Sequence, residues 1–355
     1  MIYPRLSYRS SLIALAFPLL APLYASPASA AVVTVNCGAG GAVQPLLDAA
    51  APGAEVELYL SGTCTENIRV RAGIGLTIAG ATGATIVQAN ANQPLLRVNG
   101  RATLTGLALK GAFVTSELVN VSNLARALFT RVEVSAPQAS QGILVFNQSS
   151  LELTNSSVTG GTDSAIRVSA GSTLQLTADT SSPSPAVTVT VSAVNANDLS
   201  CEAGTVQIAS NGSAAAVNLQ GGVHGIYAHD CDVIMRSNGG LARIINTKNM
   251  AIRQRGGNVS LVRMTITGNQ GGAAEVNYGS MEISGSAIGG NGSGLFAKTG
   301  ASIAINSFDG INTLSGTSLF SCYQNGRIFA DRVEGTIQPA PAASNCLMIG
   351  GAVTH

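Results

Sequence analysis

A five-residue pattern returns in phase along this chain: a small residue, an apolar one, a variable one, a small or apolar one, and a variable one. It stands at Gly142-Ile143-Leu144-Val145-Phe146, Ala165-Ile166-Arg167-Val168-Ser169 and Gly225-Ile226-Tyr227-Ala228-His229. It returns at Ala251-Ile252-Arg253-Gln254-Arg255, Ala273-Ala274-Glu275-Val276-Asn277 and Gly294-Leu295-Phe296-Ala297-Lys298. Ile143 and Ile166 are 23 residues apart, Ile226 and Ile252 are 26 apart, and Ala274 and Leu295 are 21 apart. A unit this short cannot bury its apolar face alone. It must stack on copies of itself, and the period is that of a coiled β-solenoid.

Residues 1–30 read as a secretory signal. Arg5 and Arg9 form a basic start, Leu12 to Leu20 an apolar centre, and Ala28-Ser29-Ala30 a small-residue cleavage site. The apolar run is too short for a membrane span, and no other segment spans either. Residues 31–355 then form one elongated domain. Removing the signal takes two of the 19 basic residues and none of the 18 acidic ones, leaving a nearly neutral chain. Such a balance argues against nucleic acid or an anionic membrane as the partner.

All six cysteines lie beyond the signal: Cys37 and Cys64, Cys201 and Cys231, Cys322 and Cys346. In a solenoid only neighbouring coils touch, which favours these three local pairs. They span 27, 30 and 24 residues, about one coil each. Export makes disulfides chemically reasonable. A metal site is the competing reading, but no C-x-x-C and no nearby histidine cluster supports it. The sequence calls for no metal and no cofactor.

The start of the domain reads as a cap. Val32 to Val35 is a short strand, and Gln44 to Ala51 is a short amphipathic helix stopped by Pro52-Gly53. A helix across the open end of a solenoid covers its core and blocks end-to-end association. The stretch that follows places Gly53-Ala54-Glu55, then Gly62-Thr63-Cys64-Thr65-Glu66-Asn67, then Leu76-Thr77-Ile78-Ala79-Gly80. This opening resembles the first coil of pectate-lyase-like proteins, with Cys64 in place of a usual tyrosine. The resemblance implies an all-β fold: a single-stranded right-handed parallel β-helix with a short N-terminal capping helix. Its motifs are architectural and carry no activity.

A second family of strands ends at glycine turns: Leu107-Ala108-Leu109, Val132-Glu133-Val134, Ser156-Ser157-Val158, Met264-Thr265-Ile266 and Ser286-Ala287-Ile288. The pairs Gly268-Asn269 and Gly290-Asn291 are 22 residues apart, which predicts a short ladder of stacked asparagines inside a turn. Residues 170–223 break the period. They hold either two irregular coils or one coil and a protruding loop. Gln338-Pro339-Ala340-Pro341 suggests an extended tail tied back by Cys346.

In a parallel β-helix, alternate strand residues face outward, and adjacent coils lie about 4.8 Å apart. The outward positions therefore form two columns. One runs Leu144, Arg167, Tyr227, Arg253, Glu275, Phe296; the other runs Phe146, Ser169, His229, Arg255, Asn277, Lys298. Arg167, Tyr227, His229, Arg253, Arg255, Glu275, Asn277 and Lys298 become the candidate ligand-binding residues. Arginine forks a carboxylate, tyrosine stacks on a sugar face, and Asn and Glu bind hydroxyls. The excess of Arg253, Arg255 and Lys298 over Glu275 points to an anionic ligand.

Two chemistries follow from the resemblance. Uronate β-elimination needs a cation to neutralise a carboxylate and a base to remove a proton. Arg253 or Arg255 could do the first, and His229 or Tyr227 the second. The calcium-binding acidic cluster and the R-x-P-x-x-R signature of pectate lyases are absent. Hydrolysis needs paired carboxylates, and N-T-D, D-D, G-H-G and R-I-K are all missing. The leading expectation is a secreted or periplasmic β-helix that binds an extracellular or envelope glycan on an outward strand face, non-catalytic or adhesin-like. The alternative is a metal-independent polysaccharide lyase acting on uronic-acid polymers. A purely structural solenoid is the third reading.

Overall fold

The structure, a computed structural model, describes residues 32–180, 186–190, 196–315, 320–331 and 333–334. The expected signal over residues 1–30 and the tail with Cys346 lie outside the described residues. The described chain is an all-β solenoid of about 11 turns, right-handed in type. Three parallel sheets of 13, 11 and 12 strands form its walls. Each coil visits the 13-stranded sheet, then the 12-stranded, then the 11-stranded, as in Glu55–Ser61, Thr63–Thr65 and Ile68–Val70.

The alternation seen in the sequence is what builds the core. On the 11-stranded sheet Ile143 pairs with Ile166, Ile166 with Leu199, Leu199 with Ile226, Ile226 with Ile252, and Ile252 with Ala274. All are fully buried. Each such aliphatic side chain contributes roughly 1.5–3 kcal/mol when removed from water. Stacking like on like makes that contribution recur from coil to coil, and the buried Phe320 continues the column opposite Leu295. The second strand family takes its expected place, with Glu133, Ser157 and Ala108 in register on the 12-stranded sheet.

The helix covers Gln44–Ala49, two residues shorter than the sequence suggests. Ala50 has already turned to extended backbone, and Ala51 precedes a proline, which disfavours helical geometry. Leu47 is its buried anchor. The Glu66 carboxylate accepts the N–H groups of Val43 and Gln44 at 2.9 Å, closing the helix start. The Arg71 guanidinium donates to the Leu47 and Ala50 carbonyls at 3.1 and 3.2 Å, closing its end. Gln44 in turn accepts the Arg69 N–H at 2.7 Å, so the helix seals the edge of the first coil.

Residues 170–223 form two coils. Leu199 supplies the missing layer, 33 residues after Ile166 and 27 before Ile226. Segments 181–185 and 191–195 within them lie outside the described residues. Cys37 is bonded to Cys64 and Cys201 to Cys231, as spacing suggested. The pairing of Cys322 with Cys346 lies outside the described residues because Cys346 does. The asparagine ladder is present and is longer than two rungs. Asn269 donates to Asn291 at 2.8 Å, and Thr247 donates to Asn269 at 2.8 Å. The remaining amide protons go to the Ile266 and Ile244 carbonyls.

Candidate functional site

The outer face of the 11-stranded sheet carries the candidate residues. Tyr227 stands directly opposite Arg253, and Arg253 opposite Glu275. In the second column His229 faces Arg255, Arg255 faces Asn277, and Asn277 faces Lys298. Strands Ile226–His229, Met250–Arg255, Gly272–Asn277 and Leu295–Lys298 hold them rigidly, because every intervening residue is buried. Gly225 has to be glycine: a Cβ there would overlap Ile244 from the neighbouring sheet.

Arg167 is not adjacent to Tyr227. The coil hidden in the irregular stretch inserts Ser200 between them, and Glu202 between Ser169 and His229. This changes the electrostatics of the face. The Arg167 guanidinium is 2.9 Å from Glu202 and 3.9 Å from Asp163. Lys298 Nζ is 2.7 Å from Glu275, whose other oxygen lies 3.5 Å from Arg253 Nε and accepts from Asn277 at 3.1 Å. Of the candidate arginines and Lys298, Arg255 alone has no carboxylate partner among the described residues. Its guanidinium carbon lies 5.9 Å from the Tyr227 ring centroid. His229 is 3.7 Å from Asp230. The face thus carries four basic side chains (Arg167, Arg253, Arg255 and Lys298) and four carboxylates (Asp163, Glu202, Asp230 and Glu275), so the excess of positive charge expected from the sequence is balanced within the face, although Arg255 itself meets no carboxylate.

Burial would push the Glu275 carboxyl up. The hydrogen bonds from Lys298 and Asn277, with the charges of Lys298 and Arg253, outweigh it and hold the group below its ordinary value. Glu275 is therefore ionised at neutral pH and orders both cations.

His224 has a role the sequence did not reveal. It is buried, and its ring stacks against Tyr227 at 6.0 Å between centroids and 28° between planes. Nδ1 lies 3.1 Å from the Met250 carbonyl, which can only accept, so the proton sits on Nδ1. Burial, reinforced by the charge of Arg253, holds this imidazole below its usual range against the pull of the Met250 carbonyl. His224 is a neutral plate that fixes the orientation of Tyr227.

Between Arg167 and His229 the face is indented. A cleft of about 260 Å³ is lined by Asp163, Arg167, Asn197, Ser200, Cys201, Glu202, Tyr227 and His229. It offers one aromatic face beside two carboxylates, a guanidinium, a hydroxyl and an amide. Farther along, Lys298 Nζ lies 5.6 Å from the Phe296 ring centroid and 5.9 Å from that of Tyr323, a half-exposed residue directly opposite it. Among the described residues, no three His, Cys, Asp or Glu side chains gather as a metal-binding set. No helix among them is long and apolar enough to cross a membrane.

Comparison with protein-family models, with curated proteins and with solved structures finds no match for this chain.

Proposed function

We propose that this protein is an exported, pectate-lyase-like β-helix that binds a glycan chain along the outer face of its 11-stranded sheet. The observation that carries the reading is the cleft at Tyr227, where a ring held flat by His224 adjoins a ring of hydrogen-bonding groups. An aromatic plate with polar neighbours at its rim suits a pyranose, which presents C–H groups on its face and hydroxyls at its edge. The two disulfides fit an oxidising compartment. Because Arg167 and Arg253, on either side of Tyr227 in its column, are already paired and Arg255 alone is open, this part of the face favours neutral, hydroxyl-rich sugars over a polyanion.

The lyase alternative rests on Arg255. Arg253 is occupied by Glu275, whereas Arg255 lies beside His229 and over Tyr227 without a carboxylate among the described residues. A glycan array run with wild-type protein and Tyr227→Ala tests the binding reading. Wild type should retain a defined set of glycans, and the variant should lose at least about tenfold in affinity at unchanged thermal stability, as expected for a removed stacking residue. An array with no binder would overturn it. Growth of unsaturated-product absorbance with uronate polymers, abolished in Arg255→Ala, would replace it with the lyase.

A further inference from the structure

The same sheet face carries a second charged feature at its N-terminal end, where the charge is not compensated. Arg69 and Arg97 stand directly opposite each other on the neighbouring strands Ile68–Val70 and Leu96–Val98. Both side chains are exposed, while the flanking Ile68, Val70, Leu96 and Val98 are buried and fix both residues outward. Like charges directly opposite in a sheet repel. Among the described residues, neither guanidinium has an ion pair or a side-chain hydrogen bond.

A second arginine pair in register among the described residues is not left open in this way. Arg101 and Arg126 are also in register, but Arg101 meets Glu55. Three carboxylates at this end of the solenoid are engaged elsewhere. Glu66 holds the helix start, Asp48 accepts from Gln44, and Glu117 accepts from Ser116 and Asn120. The surroundings are built rather than loose. Asn67 donates to the Pro94 carbonyl at 2.9 Å and accepts the Asn90 N–H at 2.8 Å, pinning the loop that forms the wall of a concavity of about 250 Å³. The two arginines, Asn67, Gln93 and Pro94 line it.

We propose that Arg69 and Arg97 form an anion subsite that takes a carboxylate, sulfate or phosphate group carried by a glycan chain lying on this face. Two forked donors side by side, about 4.8 Å apart at the backbone, can both address one tetrahedral or planar oxyanion. Arg97 continues, through Asn120 and Leu144, the column that leads to Arg167, Ser200 and Tyr227. Five strand spacings, about 24 Å, separate Arg97 from Tyr227. One extended chain reaches both, so the ligand is an acidic glycan whose charged group sits at the N-terminal end and whose neutral sugars cross the cleft. The glycan assignment rests on the binding role proposed for this face; the anion subsite itself does not.

The test compares wild type with Arg69→Gln/Arg97→Gln. Thermal melting is followed in sodium sulfate, sodium phosphate and ionic-strength-matched sodium chloride. Binding is measured to a sulfated, a uronate and a neutral polysaccharide. Sulfate stabilises any folded protein somewhat by exclusion from its surface, so its increment over chloride should be larger in wild type than in the double variant, which is itself stable in chloride. The variant's affinity for an acidic polysaccharide should fall by about tenfold or more, the loss of charge-assisted bonds, while neutral-polysaccharide binding is unchanged. An equal sulfate increment in wild type and the double variant, with acidic-polysaccharide binding unaltered by the variant, would overturn the subsite. If inorganic anions stabilise wild type but acidic polysaccharides fail to displace them, the glycan assignment falls. Failure of Tyr227→Ala to affect neutral glycan binding would refute the Tyr227 cleft and leave the arginine result standing.

Discussion

Replacing Glu275 by glutamine separates the two consequences of charge pairing on the candidate face. In wild type the carboxylate takes a 2.7 Å bond from Lys298, a 3.1 Å bond from Asn277 and the charge of Arg253 at 3.5 Å. Glutamine keeps an acceptor of nearly the same shape. Bonds to a charged group contribute about 1.5–3 kcal/mol and neutral ones about 0.5–1.5, so weakening the Lys298 bond costs about 1 kcal/mol. Leaving Arg253 and Lys298 without the counter-charge they share adds about 1 kcal/mol more. At about 2.1 cal/mol/K of unfolding entropy per residue, a total near 2 kcal/mol corresponds to a melting temperature lower by about 3 °C for a domain of this size. Because the folded carboxyl titrates below its ordinary 4.5, its contribution is complete above that value and is lost as pH falls through the lower folded value. Differential scanning fluorimetry at a series of pH values should show the gap between Glu275→Gln and wild type at neutral pH and its closure in acid below 4.5. The freed cations should also raise affinity for an acidic polysaccharide. A gap of constant size across the pH series, or a variant as stable as wild type at neutral pH, would refute the assignment of Glu275 as the hub of this cluster.

Two further perturbations test the scaffold. Cys201→Ser/Cys231→Ser opens a link spanning 30 residues between fully buried positions. The loss should be about 3–4 kcal/mol by loop-closure entropy, read as a lower denaturation midpoint. Asn269→Ala removes the middle rung of the ladder and leaves the buried Thr247 N–H without its acceptor. It should cost about 1–3 kcal/mol in chemical denaturation, and a neutral result would show that the ladder is incidental.

The repeat could be read where each coil opens with Gly or Ala followed by an aliphatic residue, because that position must be small where two walls meet closely. The first coils use Leu95 and Leu118 there, both fully buried inside the solenoid. A pattern keyed on small residues therefore passes over Arg97 and Asn120. The coil at Leu199 opens with Asp198, a buried acid that no hydropathy pattern anticipates. Its concealment removed Ser200 and Glu202 from the columns and left Arg167 without its partner. Gln254 shows the opposite effect. It occupies an inward position between Ala228 and Val276, where its amide nitrogen donates to the Gly256, Gly257 and Ser280 carbonyls while its amide oxygen has no partner among the described residues. Such satisfaction depends on three-dimensional turn geometry and leaves no mark on periodicity. His224 was legible only as a turn residue, since its stacking partner and acceptor are set by the register of the coils. Charge compensation was likewise out of reach, because ion pairs such as Arg167 with Glu202 join residues 35 positions apart.

A crystal structure of the protein soaked with the oligosaccharide that binds best on the array tests the central claim most directly. The account predicts sugar density on the outer face of the 11-stranded sheet, with one ring stacked on Tyr227 and hydroxyls within hydrogen-bond reach of Ser200, Glu202 or Arg167. Density confined to another sheet, with the Tyr227 cleft holding only solvent, would contradict it.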